Sequence, residues 1–178
     1  MKTDKLAVLA AGAAAAALGV SLCALWLATA SLERLKTQSR VELTLALQRQ
    51  FDADHKEDRA EIARAFLYAS DTKRKKKGLA GSPYSYVMEF FDTLGRLVET
   101  GAVDEVLAEK HFAYYLEGYF DATQALMRQE QTRDPKRYAH VFLLANRWHH
   151  DHARPDLNAF FQDELDWADP PPVEGPRT

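Results

Sequence analysis

Residues Ser82–Gly101 read SPYSYVMEFFDTLGRLVETG. Ser82 followed by Pro83 is a helix-start signal: serine suits the N-cap, and proline suits the first helical position, where its missing N–H would have no partner anyway. Val87, Phe90, Phe91, Leu94, Leu97 and Val98 then recur at the three- and four-residue spacing of one helix face, and Gly101 stops the run. A face this broad and aromatic must be covered by other helices, so the stretch predicts an all-α bundle.

Toward the C-terminus the same signals repeat. Asp104 predicts the cap of a helix carrying Leu107, Phe112, Tyr115, Leu116, Tyr119, Leu126 and Met127, with Gly118 as a kink point. Asp134-Pro135 repeats the cap-then-proline pair and predicts a helix with Tyr138, Val141, Phe142, Ala145 and Trp148 on one face. Arg154-Pro155 interrupts, and Leu157, Phe160, Phe161 and Leu165 predict a short last helix. Residues 169–178 hold four prolines and are expected to be unstructured. No alternating β-branched run is long enough to predict a strand.

Toward the N-terminus, residues 71–82 break the helical pattern and contain the run Lys73, Arg74, Lys75, Lys76, Lys77. Asp54 with Glu57 resembles a capping box for a helix that carries Ile62, Phe66 and Ala69. Leu43, Leu47 and Phe51 form a narrow apolar stripe in residues 31–52, which continue without Gly or Pro. Residues 31–70 therefore form either one continuous helix or a hairpin.

Before them, Leu6–Ala30 has no charged side chain. Its 25 residues, at ~1.5 Å each, exceed the ~30 Å hydrocarbon core of a bilayer, and a helix satisfies its own backbone there. Trp26 suits the headgroup region at the far end of such a span. The rival is a signal peptide, since Lys2 and Lys5 precede the run and Ala28-Thr29-Ala30 fits a cleavage site, but a signal core is usually only ~7–15 residues long. Flanking Arg34, Lys36, Arg40 and Arg49 outweigh Lys2 and Lys5, which favours a cytoplasmic C-terminal part of an inner-membrane protein. The expected organisation is an N-terminal tail (1–5), a transmembrane helix (6–30), a juxtamembrane helix (31–53), a small helical bundle (54–168) and a Pro-rich tail (169–178).

The segment Val87–Leu126 resembles a bacterial family of unknown function. The resemblance lies in Glu89-Phe90-Phe91, Leu94-Gly95, Leu97-Val98, Gly101, Asp104-Glu105, and a following helix with Phe112 and Tyr119. The Ala63-Arg64 helix and Val141-Phe142-Leu143-Leu144 fit the same layout over roughly residues 50–150. Tyr119-Phe120 stands where the family often has Tyr-Trp. The resemblance implies a single-span anchor and a helical domain; it implies no activity.

The chemistry expected is correspondingly sparse. The chain has 178 residues, a formal net charge of −3 and one cysteine, Cys23, so an internal disulfide or a cysteine-based zinc site is excluded, and nothing drives it globally toward nucleic acid. Lys73–Lys77 concentrates five of the 23 basic residues, and a hairpin over 31–70 would bring it near the bilayer, where it would meet anionic headgroups. His149, His150 and His152 are weak metal candidates, for no His-Glu-x-x-His or Glu-x-x-His spacing accompanies them. No catalytic residue and no cofactor is expected. Small-residue pairs such as Gly12/Ala16 and Ala15/Gly19 permit self-association. The reading is a non-catalytic, membrane-anchored interaction or accessory protein with a protein partner or a second copy. The alternatives are a tethered metal-dependent enzyme using His149–His152 and a secreted domain released after Ala30.

Overall fold

The computed structural model describes residues 2–68, 82–148 and 156–170, with residues 2–25 as helical backbone alone. Six helices and no strand occur among the described residues: α1 (Lys2–Asp54), α2 (Lys56–Tyr68), α3 (Pro83–Glu99), α4 (Glu105–Gln131), α5 (Ala139–Trp148) and α6 (Leu157–Ala168). Packing divides the chain into two units, residues 1–40 and 41–178. Among the described residues no helix is long and apolar enough to cross a membrane. Most of Leu6–Ala30 lies in the part given as backbone alone.

In the second unit α2 packs on α6 and α3, α5 on α3 and α4, and α4 on α3 and α6. The α3 face is buried as its spacing predicts, with Val87, Phe91, Leu94 and Val98 all in the core. Phe112, Leu116, Tyr119 and Met127 of α4, Val141, Leu144 and Trp148 of α5, and Phe160 and Phe161 of α6 complete it. Phe51, in the last turn of α1, lies among Phe90, Phe91, Phe112 and Tyr115 with ring centroids 4.7–5.8 Å away. Offset and edge-on aromatic packing of this kind adds to the area that each ring buries. Thr44, about two turns earlier, is also buried, and its hydroxyl accepts a hydrogen bond from the Asp104 backbone N–H at 3.1 Å. Leu43, expected on the buried stripe, is instead 38% exposed.

Helix ends follow the local chemistry in most places. Ser82 is extended at the N-cap of α3, Pro83 opens the helix, and the Ser82 carbonyl accepts from the Ser85 N–H at 2.8 Å. At the other end the Gly101 N–H donates to Val98 and the Ala102 N–H to Leu97, the paired bonds of a Schellman turn, with Gly101 at φ 66°. Only glycine adopts that conformation without crowding its own Cβ. Gly101→Ala should therefore destabilise the bundle by roughly 1–2 kcal/mol, read as a lower urea midpoint with an unchanged slope. Asp104 caps α4 as expected, its Oδ1 accepting from the Leu107 N–H at 2.9 Å.

Two expectations need correction. Asp54 is the last residue of α1, and the His55 carbonyl, accepting from the Arg59 N–H at 2.9 Å, starts α2. Residues 31–54 thus continue the first helix, and the chain turns at His55. Asp134-Pro135 opens a turn rather than a helix: Asp134 Oδ1 accepts from the Lys136 N–H at 3.1 Å, and Tyr138 at φ 58° interrupts the chain before α5 begins at Ala139. Gly118, expected as a kink point, lies inside α4 without a break in the helix. It lies under the Phe160 ring, whose nearest atoms would sit 2.5–2.6 Å from a Cβ there. The small residue makes room for α6.

Candidate functional site

Two polar clusters stand out in the second unit. The first is buried. Arg59, on the core-facing side of α2, is fully enclosed, and its Nε and Nη2 donate to the two carboxylate oxygens of Glu164 at 2.7 and 2.8 Å. Glu164, on α6, is itself only 3% exposed and also accepts from the Tyr119 hydroxyl of α4. Arg59 Nη1 reaches Asp52 at 3.2 Å, at the end of α1. The guanidinium is stacked among Trp167, Phe51 and Tyr115, with its carbon 4.2, 4.6 and 4.7 Å from their ring centroids. A buried charge is tolerable when it is paired and hydrogen-bonded, and here each guanidinium nitrogen donates to a carboxylate. The forked geometry and the aromatic faces select arginine over lysine.

This environment fixes protonation. Burial, followed by the adjacent Glu164 carboxylate, pushes the Tyr119 phenol well above its ordinary value of 10, although Arg59 pulls the other way. The unfolded chain then releases that proton at lower pH than the folded one. Stability should hold up to about pH 10 and fall above it by up to about 1.4 kcal/mol per pH unit until the folded phenol also ionises. Alkaline unfolding of Tyr119→Phe should show a shallower decline than the parent chain; parallel curves would refute the assignment. Tyr114 donates to Asp163 at 2.9 Å, and burial together with that bond raises its phenol to about 12, but its ring is half exposed and contributes less.

The second cluster borders an open cleft of about 460 Å³ between α3 and the turn before α5, lined by Glu89, Asp92, Thr93, Arg96, Asp134, Arg137 and Tyr138. Its charges are largely committed to one another. Arg137 lies 3.7 Å from Glu89 and 3.5 Å from Glu130, and its carbonyl accepts from Gln131 Nε2 at 2.9 Å. Asp92 accepts from the His140 backbone N–H at 3.0 Å and so caps α5 from a neighbouring helix, while the His140 ring faces Asp92 and Glu99 at 3.5 and 3.4 Å. Tyr138 is buried beside Arg137, whose guanidinium carbon is 5.2 Å from its ring. Burial raises the Tyr138 phenol, and Arg137 partly offsets this. The arrangement holds a strained turn in place and joins α3 to α5.

Trp26 is 70% exposed on α1. Lys73, Arg74, Lys75, Lys76 and Lys77 lie outside the described residues, as do His149, His150 and His152. Among the described residues no group of three or more His, Cys, Asp or Glu is placed to hold a metal ion. The sequence reading does not single out Arg59 or Glu164. The legible signal was a lone charge on each of two apolar faces: Arg59 ahead of Ile62 and Phe66, and Glu164 after Phe160 and Phe161.

An aromatic helical bundle following one long N-terminal helix is thus the class of molecule that the fold defines. The chain belongs to the family described as Domain of unknown function (DUF4760), whose model matches residues 11–148. No curated protein and no solved structure matches it.

Proposed function

We propose that the protein is a single-pass membrane protein whose helical bundle acts by binding, as a non-catalytic scaffold or accessory subunit on the cytoplasmic side of the inner membrane. The observation that carries this reading is Leu6–Ala30, 25 residues without a charge, contained within the single helix Lys2–Asp54. In this reading the uncharged run partitions into lipid, and the exposed Trp26 and Leu27 at its end suit the interface. The bundle supports a binding role in another way. Two of its charge clusters join helices: Arg59 with Glu164 and Asp92 with the start of α5. In this reading Lys73–Lys77 lies against anionic headgroups, where each base contributes ~1 kcal/mol.

Carbonate washing of membranes that carry the full chain tests the anchor. It should leave the protein in the pellet with an intact N-terminus. Release into the wash, or a mature chain beginning at Ser31, would overturn the reading. Reporter fusions at the C-terminus should be active on the cytoplasmic side. Flotation of reconstituted protein with anionic vesicles should weaken when Lys73–Lys77 are replaced by alanine, and equal binding would remove the headgroup contact.

A further inference from the structure

Among its described residues the first unit carries an exposed line that includes two leucines. Residues 31–40 of α1 are exposed throughout, including Leu32 at 56% and Leu35 at 61%. Ala28, Leu32, Leu35 and Ser39 are spaced four, three and four apart, which is the a/d spacing of a two-stranded coiled coil. In sequence the same phase continues upstream through Leu25, Ser21 and Leu18, without a charge. The charges of this region stand off the line. Glu33, Arg34 and Arg40 fall at outward positions of the same heptad, and the flanking positions hold Thr29, Ser31, Gln38 and Lys36. Lys36 is drawn away from the line by Glu33, which accepts its Nζ proton at 2.8 Å.

Lipid is a poor cover for Leu32 and Leu35. Glu33, Arg34 and Lys36 interleave with them directly beyond the uncharged run, and such charges are costly inside the hydrocarbon. A second copy fits better. Two chains anchored by the same span enter the membrane in the same direction and at the same depth. Their lines then meet parallel and in register, Leu32 against Leu32 and Leu35 against Leu35, in a self-complementary two-fold contact. No like charges face each other across it. A seam this short is weak in free solution, since short isolated helices pair marginally. Confinement to one membrane raises the local concentration of the partner and makes the pairing effective.

We propose that α1 pairs two copies of this chain in parallel through Ala28, Leu32, Leu35 and Ser39. This rests on the membrane-anchored reading above. The test is oxidative cross-linking of the full chain in isolated membranes with copper-phenanthroline, in a Cys23→Ser background that removes its one cysteine. A disulfide forms only where two Cβ atoms come within about 4.5 Å. Leu35→Cys and Ser39→Cys should give a dimer of twice the chain mass, while Arg34→Cys and Thr37→Cys, facing outward, should remain monomeric. Equal cross-linking at all four positions, none at positions 35 and 39, or cross-linking only into larger mixed species would overturn self-pairing. Carbonate washing of the same membranes separates the two failures. Protein retained in the pellet without the dimer removes the pairing alone; protein released into the wash removes the anchor and the pairing with it.

Discussion

Replacing Arg59 with alanine should destabilise the bundle by about 3–5 kcal/mol, the cost of leaving a buried charge without its partner. Glu164 is the charge left behind. It is 3% exposed, takes both of its strong hydrogen bonds from the Arg59 fork, and would retain only the Tyr119 hydroxyl. The stacked faces of Phe51, Tyr115 and Trp167 would lose their common neighbour and leave a void that each borders. Asp52 matters less, because it is 40% exposed and water replaces the guanidinium there. Thermal unfolding followed by tryptophan fluorescence is a direct readout, since Trp167 sits on Arg59 and Trp148 is buried in the core. The loss should be largely recovered when all three polar members go together, in Arg59→Met with Tyr119→Phe and Glu164→Leu. Apolar replacement of a whole buried ion pair is often neutral or better, because no group is left unsatisfied. A loss below about 1 kcal/mol for Arg59→Ala, the range of a solvent-screened pair, would mean that water reaches Glu164 and that the cluster does not hold α2 to α6.

How far the sequence discloses this molecule depends on the range of the interaction involved. Local devices are legible. Ser82-Pro83, Gly101 and Asp104 act on backbone groups within a few residues, so their spacing alone predicts the ends of α3 and α4. The apolar faces of α3, α4 and α6 are legible for the same reason, as a three- to four-residue period is a property of a single helix. Asp134-Pro135 has the same local signature and yet makes a turn, because Tyr138 takes a positive φ that the dipeptide does not encode. What holds that turn is distant: Arg137 reaches Glu89, and Asp92 reaches the His140 N–H. Arg59 and Glu164 are 105 residues apart, so each marks an apolar face with a charge but neither discloses its partner. The stripe in α1 shows the same limit at small scale. Leu43 fits the period, but Thr44 is the residue turned inward, since the end of α3 and the start of α4 bring the Asp104 N–H to its hydroxyl. The parallel seam proposed for residues 28–39 differs in kind, because a heptad phase is readable in one chain, while its exposure shows only in the structure.

Gly95→Ala should be the most damaging of the glycine replacements, although alanine is the better helix former by about 1 kcal/mol. A Cβ at residue 95 would stand 2.7 Å from both the Cβ and the carbonyl oxygen of His140. Those atoms are backbone or fixed to it, so no rotamer change relieves the overlap, and α3 and α5 must separate. Separation loosens the packing of Leu94 and Val98 near Val141 and Leu144, and it draws the Asp92 carboxylate away from the His140 N–H that it caps at 3.0 Å. Overpacking of this kind costs about 1–3 kcal/mol or more, which exceeds the gain in helix propensity. Gly118 provides the comparison. Its neighbour is the far end of the Phe160 ring, which can tilt, so Gly118→Ala should cost less. Urea unfolding of the two variants should therefore rank Gly95→Ala below Gly118→Ala, and hydrogen exchange should show the first turn of α5 losing protection in the former alone. If Gly95→Ala were neutral or stabilising, α3 and α5 would not approach through that glycine, and the contact that positions the turn at Tyr138 would have to lie elsewhere.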